Sequence, residues 1–357
     1  MARPRPSPDA NRGRRARRGL AAAVGTLLMG GLLAACGGAG GGRPGQVTIT
    51  LYNGQHPQTT HALVAAFERQ TGIHVEVRDG DEGALAQEIA EEGSSTPADV
   101  FYSENSPALM FLQGKGLLAP IESSTLTQVP ARYDSPGGDW VGVSARVSVL
   151  VYNTSQLPAS QVPSSVLDLA DPRWKGKLAL APTETDFEPV VTSIAKLRGR
   201  SAALAWLKGV KANASAHIEP DNETVTSDVN KGRAALGLID HYYWFRLAAE
   251  VGPANMHSAI AYFAPGDPGY VLDVSGAGVL KSSRHAAAAQ RLVAFLVSAA
   301  GQRDLAASDS FEYPLRPGVA AHPGLKPFGQ LRPAPVTVAD LGDGSEALRL
   351  LQQAQLV

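Results

Sequence analysis

Two adjacent tyrosines, Tyr242 and Tyr243, follow a short apolar run at 234–239. That run fits a buried parallel strand, and Asp240 ends it. Open α/β sheets bind their ligands just beyond the carboxyl ends of strands. Aromatic residues after a strand ordinarily pack into the core. Two neighbouring phenols fit that role poorly, because each buried hydroxyl needs a hydrogen-bond partner. A hard trivalent cation would be such a partner. It prefers charged oxygen ligands, and it can deprotonate a phenol whose free pKa is about 10.

Two more expected strand ends carry matching donors. Residues 47–52 alternate as a strand and run into Asn53-Gly54-Gln55-His56; residues 99–102 run into Ser103-Glu104-Asn105. A lone loop histidine is usually exposed, and an acid just before Ser106-Pro107 is a common helix-start residue. Their shared position past strand ends makes His56, Glu104, Tyr242 and Tyr243 a candidate metal set of one imidazole, one carboxylate and two phenols. Arg146, in a valine-rich extended run, is either a balance for phenolate charge or a surface ion pair. The other seven of the eight histidines show no metal-ligand spacing.

The elements that must position these residues follow from periodicity and punctuation. A helix capped by Thr59 or Thr60 runs to Gln70 and stops at Gly72. Ile73, Val75 and Val77 mark a second strand, 81–92 a helix, and Pro107 opens another helix that closes at Gly114. This β-α-β-α-β-α order implies a parallel sheet flanked by helices. The run 140–152 is long enough to cross between two lobes, and 270–280 is a candidate return strand. Between and after them, 176–181 reads as a strand, and 189–197, 201–211, 284–298 and 344–351 read as helices.

The N-terminus carries Arg12, Arg14, Arg15, Arg17 and Arg18, then an apolar small-residue stretch, then Leu33-Ala34-Ala35-Cys36. This is the pattern of a lipoprotein signal peptide over 1–35, with Cys36 as the lipid attachment point; the apolar run is short for a membrane span. A glycine-rich tether occupies 36–46. Cys36 is the only cysteine, so disulfides within the chain and cysteine metal sites are excluded. Seven of the 32 basic and one of the 33 acidic residues precede Cys36, which leaves an excess of seven acids in the remainder. That balance argues against nucleic acid as a partner. No glycine-rich nucleotide loop or nucleophile elbow is present, so no enzyme activity is expected.

From residue 47 onward the chain resembles the periplasmic ferric-ion-binding proteins of ABC importers, the bacterial transferrins. The segments that carry the resemblance are Leu51-Tyr-Asn-Gly-Gln-His56, Thr96-Pro-Ala-Asp-Val-Phe-Tyr102 with Glu104, Arg173-Trp-Lys-Gly-Lys177, residues 240–245, and Glu312-Tyr-Pro-Leu-Arg316. The resemblance implies an α/β, two-lobe type II periplasmic-binding-protein fold. Its sheets are parallel-rich and flanked by helices, and two hinge strands join the lobes. The implied first lobe is 47–148 with 273–323, and the second is 149–272 with 324–357. It implies that His56, Glu104, Tyr242 and Tyr243 bind Fe(III). It also implies an anion pocket near Asn105, Thr185, Asn222 and Asp240, with Asp240 standing where asparagine is usual. Glu184 and Asp186 depart from that pocket's pattern, since two carboxylates there would repel phosphate. Water or Asp186 is left to complete the coordination, and the anion stays open.

The expected function is capture of Fe(III) by a monomeric, lipid-anchored solute-binding protein on the outer face of the cytoplasmic membrane. Delivery would be to an ABC permease and its ATPase. An alternative keeps the fold and gives the cleft an organic cation or phosphonate, with Tyr242, Tyr243 and Trp244 as an aromatic box. A Cys36→Ala variant is expected to move from the membrane to the soluble fraction on cell fractionation, because two acyl chains are what hold it; unchanged membrane retention would rule Cys36 out as the anchor.

Overall fold

The computed structural model describes residues 47–357; the signal segment, Cys36 and the glycine tether lie outside the described residues. The chain begins with β1 (Thr48–Gly54), α1 (Pro57–Thr71), β2 (His74–Asp79), α2 (Glu82–Glu92), β3 (Val100–Ser103) and α3 (Ser106–Gly114). β1 pairs in parallel with both β2 and β3. Helix α1 starts earlier than expected: Pro57 occupies its first turn, and His56, not Thr59 or Thr60, holds the N-cap position. A proline at that position is preset for the helix and gives up no needed N–H. The start of the helix therefore fixes the backbone of His56. At its far end Gly72 takes a left-handed φ of 71°, as anticipated.

After β4 (Leu118–Ala119) and α4 (Ser123–Leu126) comes the long strand β5 (Trp140–Asn153), buried at every position. Then follow β6 (Leu178–Ala179), α5 (Phe187–Arg198), α6 (Arg200–Asn213), α7 (Asn222–Asn230), β7 (Leu236–Asp240), α8 (His241–Val251) and β8 (Ser258–Ala261). β9 (Leu272–Leu280), α9 (Ala286–Leu296), α10 (Ala299–Ala307), β10 (Tyr313–Pro314), α11 (Val338–Leu341) and α12 (Ser345–Ala354) complete the chain.

The main strand path runs β2-β1-β3-β9-β5-β7-β6. β5 is the strand shared by its two halves. Trp140 to Val147 pair antiparallel with β9, and Ser148 to Tyr152 pair antiparallel with β7. The sheet is thus mixed. Parallel pairing holds for β1 with β2 and β3 and for β6 with β7, while the extended strands β5 and β9 join the halves in antiparallel fashion. The architecture is the two-lobe type II binding-protein fold. β6 is only two residues long, shorter than the run 176–181 suggests, because just Leu178 and Ala179 pair with β7.

Gly54 ends β1 under the first turn of α2. A Cβ there would lie 2.7 Å from Glu82 Cα, a backbone atom that cannot rotate away. Gly54→Ala is expected to lose about 1–3 kcal/mol in urea denaturation of the ligand-free protein; wild-type stability would mean that α2 can slide from β1 without cost.

Candidate metal centre

Five donor side chains reach one point, each from a strand end or helix start. His56 caps α1 just beyond β1, and Glu104 lies one residue past β3. Asp186 holds the N-cap of α5. Tyr242 and Tyr243 occupy the first turn of α8, which follows β7 without a loop. The sequence expectation placed the tyrosines simply after a strand; the helix is what turns both phenols to one side.

The Tyr242 hydroxyl lies 2.6 Å from Glu104 Oε1 and 3.1 Å from Asp186 Oδ2, and its hydrogen serves one at a time. The Tyr243 hydroxyl donates to the same Asp186 Oδ2 at 2.8 Å. His56 Nε2 lies 3.1 Å from Glu104 Oε1 but has no aligned hydrogen bond, so a buried ring nitrogen points into the cluster without a proper partner. Its ring meets Tyr242 edge-on at 5.2 Å and Tyr243 at 6.1 Å, and the two phenol rings are 4.2 Å apart. Among the described residues no three His, Cys, Asp or Glu side chains gather as a metal site; this cluster also contains two tyrosines.

Burial dominates the electrostatics. It raises Tyr242 and Tyr243 well above the ordinary phenol range, and the Asp186 and Glu104 charges add to it. Burial, then the Glu104 charge, also raises Asp186. Glu104 goes the other way. Burial works against its charged form, but His56, Arg146 and the Tyr242 hydroxyl overcome this and hold it down to about 2. Burial disfavours the charged form of His56, yet the Glu104 carboxylate more than compensates and raises its pKa. Without a metal, the phenols keep their protons and lend them to carboxylates.

The residues around this cluster fall into place as follows. Asn105 is buried and its amide reaches across to Asp186 Oδ1 at 2.9 Å and Thr185 Oγ1 at 3.2 Å. Asn222, the first residue of α7, donates to Asp186 Oδ2 at 3.3 Å. Asp240 is buried beside Ser148, and burial with the Asp186 charge raises it far above the carboxylate range. Burial, then the Asp186 charge, pushes Glu184 up to about 8. Arg146 is fully buried, so the surface-ion-pair reading fails: its guanidinium pairs with Glu312, donates to Asn105 Oδ1 at 3.2 Å and lies 5.6 Å from the Tyr242 ring centre. Trp244 turns away to β8, donating to the Ser258 carbonyl at 3.2 Å, so the three-ring aromatic box does not form.

Three contributors escaped the sequence reading. Glu82 binds the Ser103 hydroxyl and both amide groups of Asn105. Gln55 accepts from the His56 N–H at 2.7 Å. Glu312 receives Gln55, Ser144 and Arg146. Gln55 and Glu312 had a signal, as parts of the Leu-Tyr-Asn-Gly-Gln-His and Glu-Tyr-Pro-Leu-Arg segments, and those segments say nothing of their partners.

Residues 95–328 match the family model described as bacterial extracellular solute-binding protein. The chain is 38% identical over 309 residues to a Fe(3+)-binding periplasmic protein of Serratia marcescens, covering 87% of this chain and 90% of the relative. It is 40% identical over 313 residues to a major ferric iron-binding protein of Neisseria meningitidis, covering 87% and 94%. The crystal structure of iron-bound HitA from Pseudomonas aeruginosa superimposes with a TM-score of 0.83 at 44% identity, covering 86% of this chain and 99% of that one.

The buried acids give the ligand-free protein a signed pH dependence. Burial, then the Glu104 charge, pushes Glu82 up to about 8, and its proton can go to Ser103 Oγ, which in turn donates to the Asn105 carbonyl. Glu184 also reaches about 8. Unfolded glutamate titrates near ~4.3, so above that pH the folded chain binds more protons than the unfolded chain and stability falls as pH rises. His56, raised in the fold, acts in the same direction. The buried imidazole of His241 is lowered to about 3 and opposes this, but only below the unfolded histidine pKa of ~6.5. The melting temperature of metal-free protein is therefore expected to fall between about pH 6.5 and 8.5, and Glu82→Gln to flatten the slope. A melting temperature that rises over that interval would contradict the protonated-acid picture.

Proposed function

We propose, for a chain that belongs to the bacterial extracellular solute-binding proteins and within them to the periplasmic ferric-ion-binding family, that it captures Fe(III) at this cluster for import. The observation that carries this reading is the pair of buried phenols whose protons are held by the carboxylates of Glu104 and Asp186. Such a set exchanges protons for a trivalent cation. The proposed ligands are His56 Nε2, Glu104, Tyr242 and Tyr243, with Asp186 as a fifth donor where relatives of the expected pattern take a free anion. Two phenolates and two carboxylates bring four negative charges against three positive ones, and Arg146, 3.8 Å from Glu104, is already paired with Glu312. Loading releases the phenolic protons, so acid weakens binding.

In this reading 47–148 with 273–323 form the first lobe and 149–272 with 324–357 the second. The packing of α12 against α5 and α6 supports assigning the C-terminal helix to the second, while α11 bridges α5 and α3. The two lobes close by bending at β5 and β9. The loaded carrier, a monomer held by the lipid on Cys36 at the outer face of the cytoplasmic membrane, docks on an ABC permease driven by its ATPase. The chain carries no reaction of its own.

Added Fe(III) should colour the protein through phenolate-to-iron charge transfer, and Tyr243→Phe should weaken the band. Phosphate should leave wild-type affinity nearly unchanged, because each carboxylate or phenolate at about 4 Å costs an entering anion on the order of 4 kcal/mol at an effective dielectric near 20. Asp186→Ala should lose about tenfold or more, ~1.4 kcal/mol, and become dependent on added phosphate. Titrations with and without phosphate decide it: a colourless wild type would end the ferric reading, and strong phosphate enhancement in the wild type would remove Asp186 from the ligand set.

A further inference from the structure

Arg146 is the one buried Lys or Arg side chain among the described residues, and it sits between two acids. Its Nη2 makes a short ion pair with Glu312 Oε1 and stays 3.8 Å from Glu104 Oε1. The same Glu104 oxygen receives the Tyr242 hydroxyl and faces His56 Nε2, so it points into the cluster. A guanidinium at hydrogen-bonding distance from it would compete with any cation for that oxygen. Glu312 itself is fixed from three sides. It accepts from Ser144 Oγ on β5, from Arg146, and from Gln55 Nε2 at 3.3 Å. Gln55 in turn holds the His56 backbone N–H.

We infer that Glu312 is a positioning residue for metal capture: it holds the Arg146 guanidinium off Glu104 and so leaves that carboxylate for the cation. Glu312 touches no ligand. It acts through Arg146, and without its charge the guanidinium turns to the nearest remaining carboxylate, Glu104. The inference rests on the ferric reading above.

The test compares wild type, Glu312→Gln, and Glu312→Gln combined with Arg146→Met, titrated with Fe(III) against citrate as competitor. The single variant keeps the shape of residue 312 and its reach to Gln55, so its expected loss, about tenfold or more in affinity, comes from the freed guanidinium. Both phenolates remain, so its colour at saturating iron stays. The double variant removes both members of the Arg146–Glu312 pair, so neither is left buried without the other, and it should regain most of the lost affinity. A purely structural role for Glu312 predicts no such recovery. Wild-type affinity in Glu312→Gln, or a double variant as weak as the single, overturns the inference while leaving the ferric site intact. A wild type that binds no Fe(III) sinks the ferric reading and this inference together.

Discussion

Positive charge is scarce where this protein buries its acids. Asp186, Asp240, Asp273 and Glu312 are buried and Glu104 nearly so, while Arg146 is the sole buried Lys or Arg among the described residues. Carboxylates removed from water must be paired or keep their protons. Here one acid of the group is held strongly down, Glu104, which has both His56 and Arg146 beside it. Asp186 and Asp240 are raised, and burial pushes Asp273 up to about 6. The ligand-free cluster is therefore a set of buried oxygens that hold on to their protons. In the ferric reading a multiply charged cation takes the place of those protons.

β5 carries this electrostatics on alternate residues. Ser144, Arg146 and Ser148 share one side of the strand because side chains alternate. Ser144 meets Glu312 and Ser275, Arg146 meets Glu312 and Asn105, and Ser148 meets Asp240. The intervening Val143, Ala145, Val147 and Val149 are buried apolar positions. A strand that must cross between two lobes while hydrogen-bonded on both edges has no exposed face. Its polar side chains find partners distant in the chain, except that Arg146 Nε has none. His241 shows the same economy: its Nδ1 accepts the Val147 N–H and its Nε2 faces the Phe311 carbonyl, which ties the start of the tyrosine helix to the hinge.

The legible part of this site was the part set by local rules. His56, Glu104 and the tyrosine pair could be found because each follows a strand, and a strand's period and turn residues are local. The length of β5 was legible for the same reason. The antiparallel pairing of β5 and β9 was not, since register between segments so far apart in sequence is decided by packing. Helix α7 was missed because Asn222–Asn230 has only Val225 and Val229 as apolar markers among polar residues. Thr59 and Thr60 misplaced the start of α1, as hydroxyl caps compete with a proline that opens the helix two residues earlier. Glu312 stands 257 residues from Gln55 and 166 from Arg146, and no spacing rule reaches that far. Asp186 was suspected from an unusual local composition, but its bonds to both phenols appear only in three dimensions.

In the ferric reading those bonds let closure and binding use the same residue without conflict. Asp186 divides its two oxygens. Oδ2 accepts from Tyr242 and Tyr243, while Oδ1 accepts from Asn105, which follows β3 on the facing side. In that reading a cation entering the cluster would displace the phenolic protons and so replace the Tyr242–Glu104 and tyrosine–Asp186 hydrogen bonds, while Asp186 Oδ1 carries the separate bond from Asn105. A single neutral or singly charged bond of this kind contributes about 1 to 3 kcal/mol net, which alone is too little to hold a cleft shut against thermal opening for long. A ligand shifts the equilibrium only by its preference for the closed form. In the proposed division His56 and Glu104 lie on one side and Asp186, Tyr242 and Tyr243 on the other, so an open cleft would offer a cation part of the set at most. On that division the Asn105–Asp186 bond helps set the geometry in which the two partial sets meet, and a bound cation would supply the energy that keeps them together.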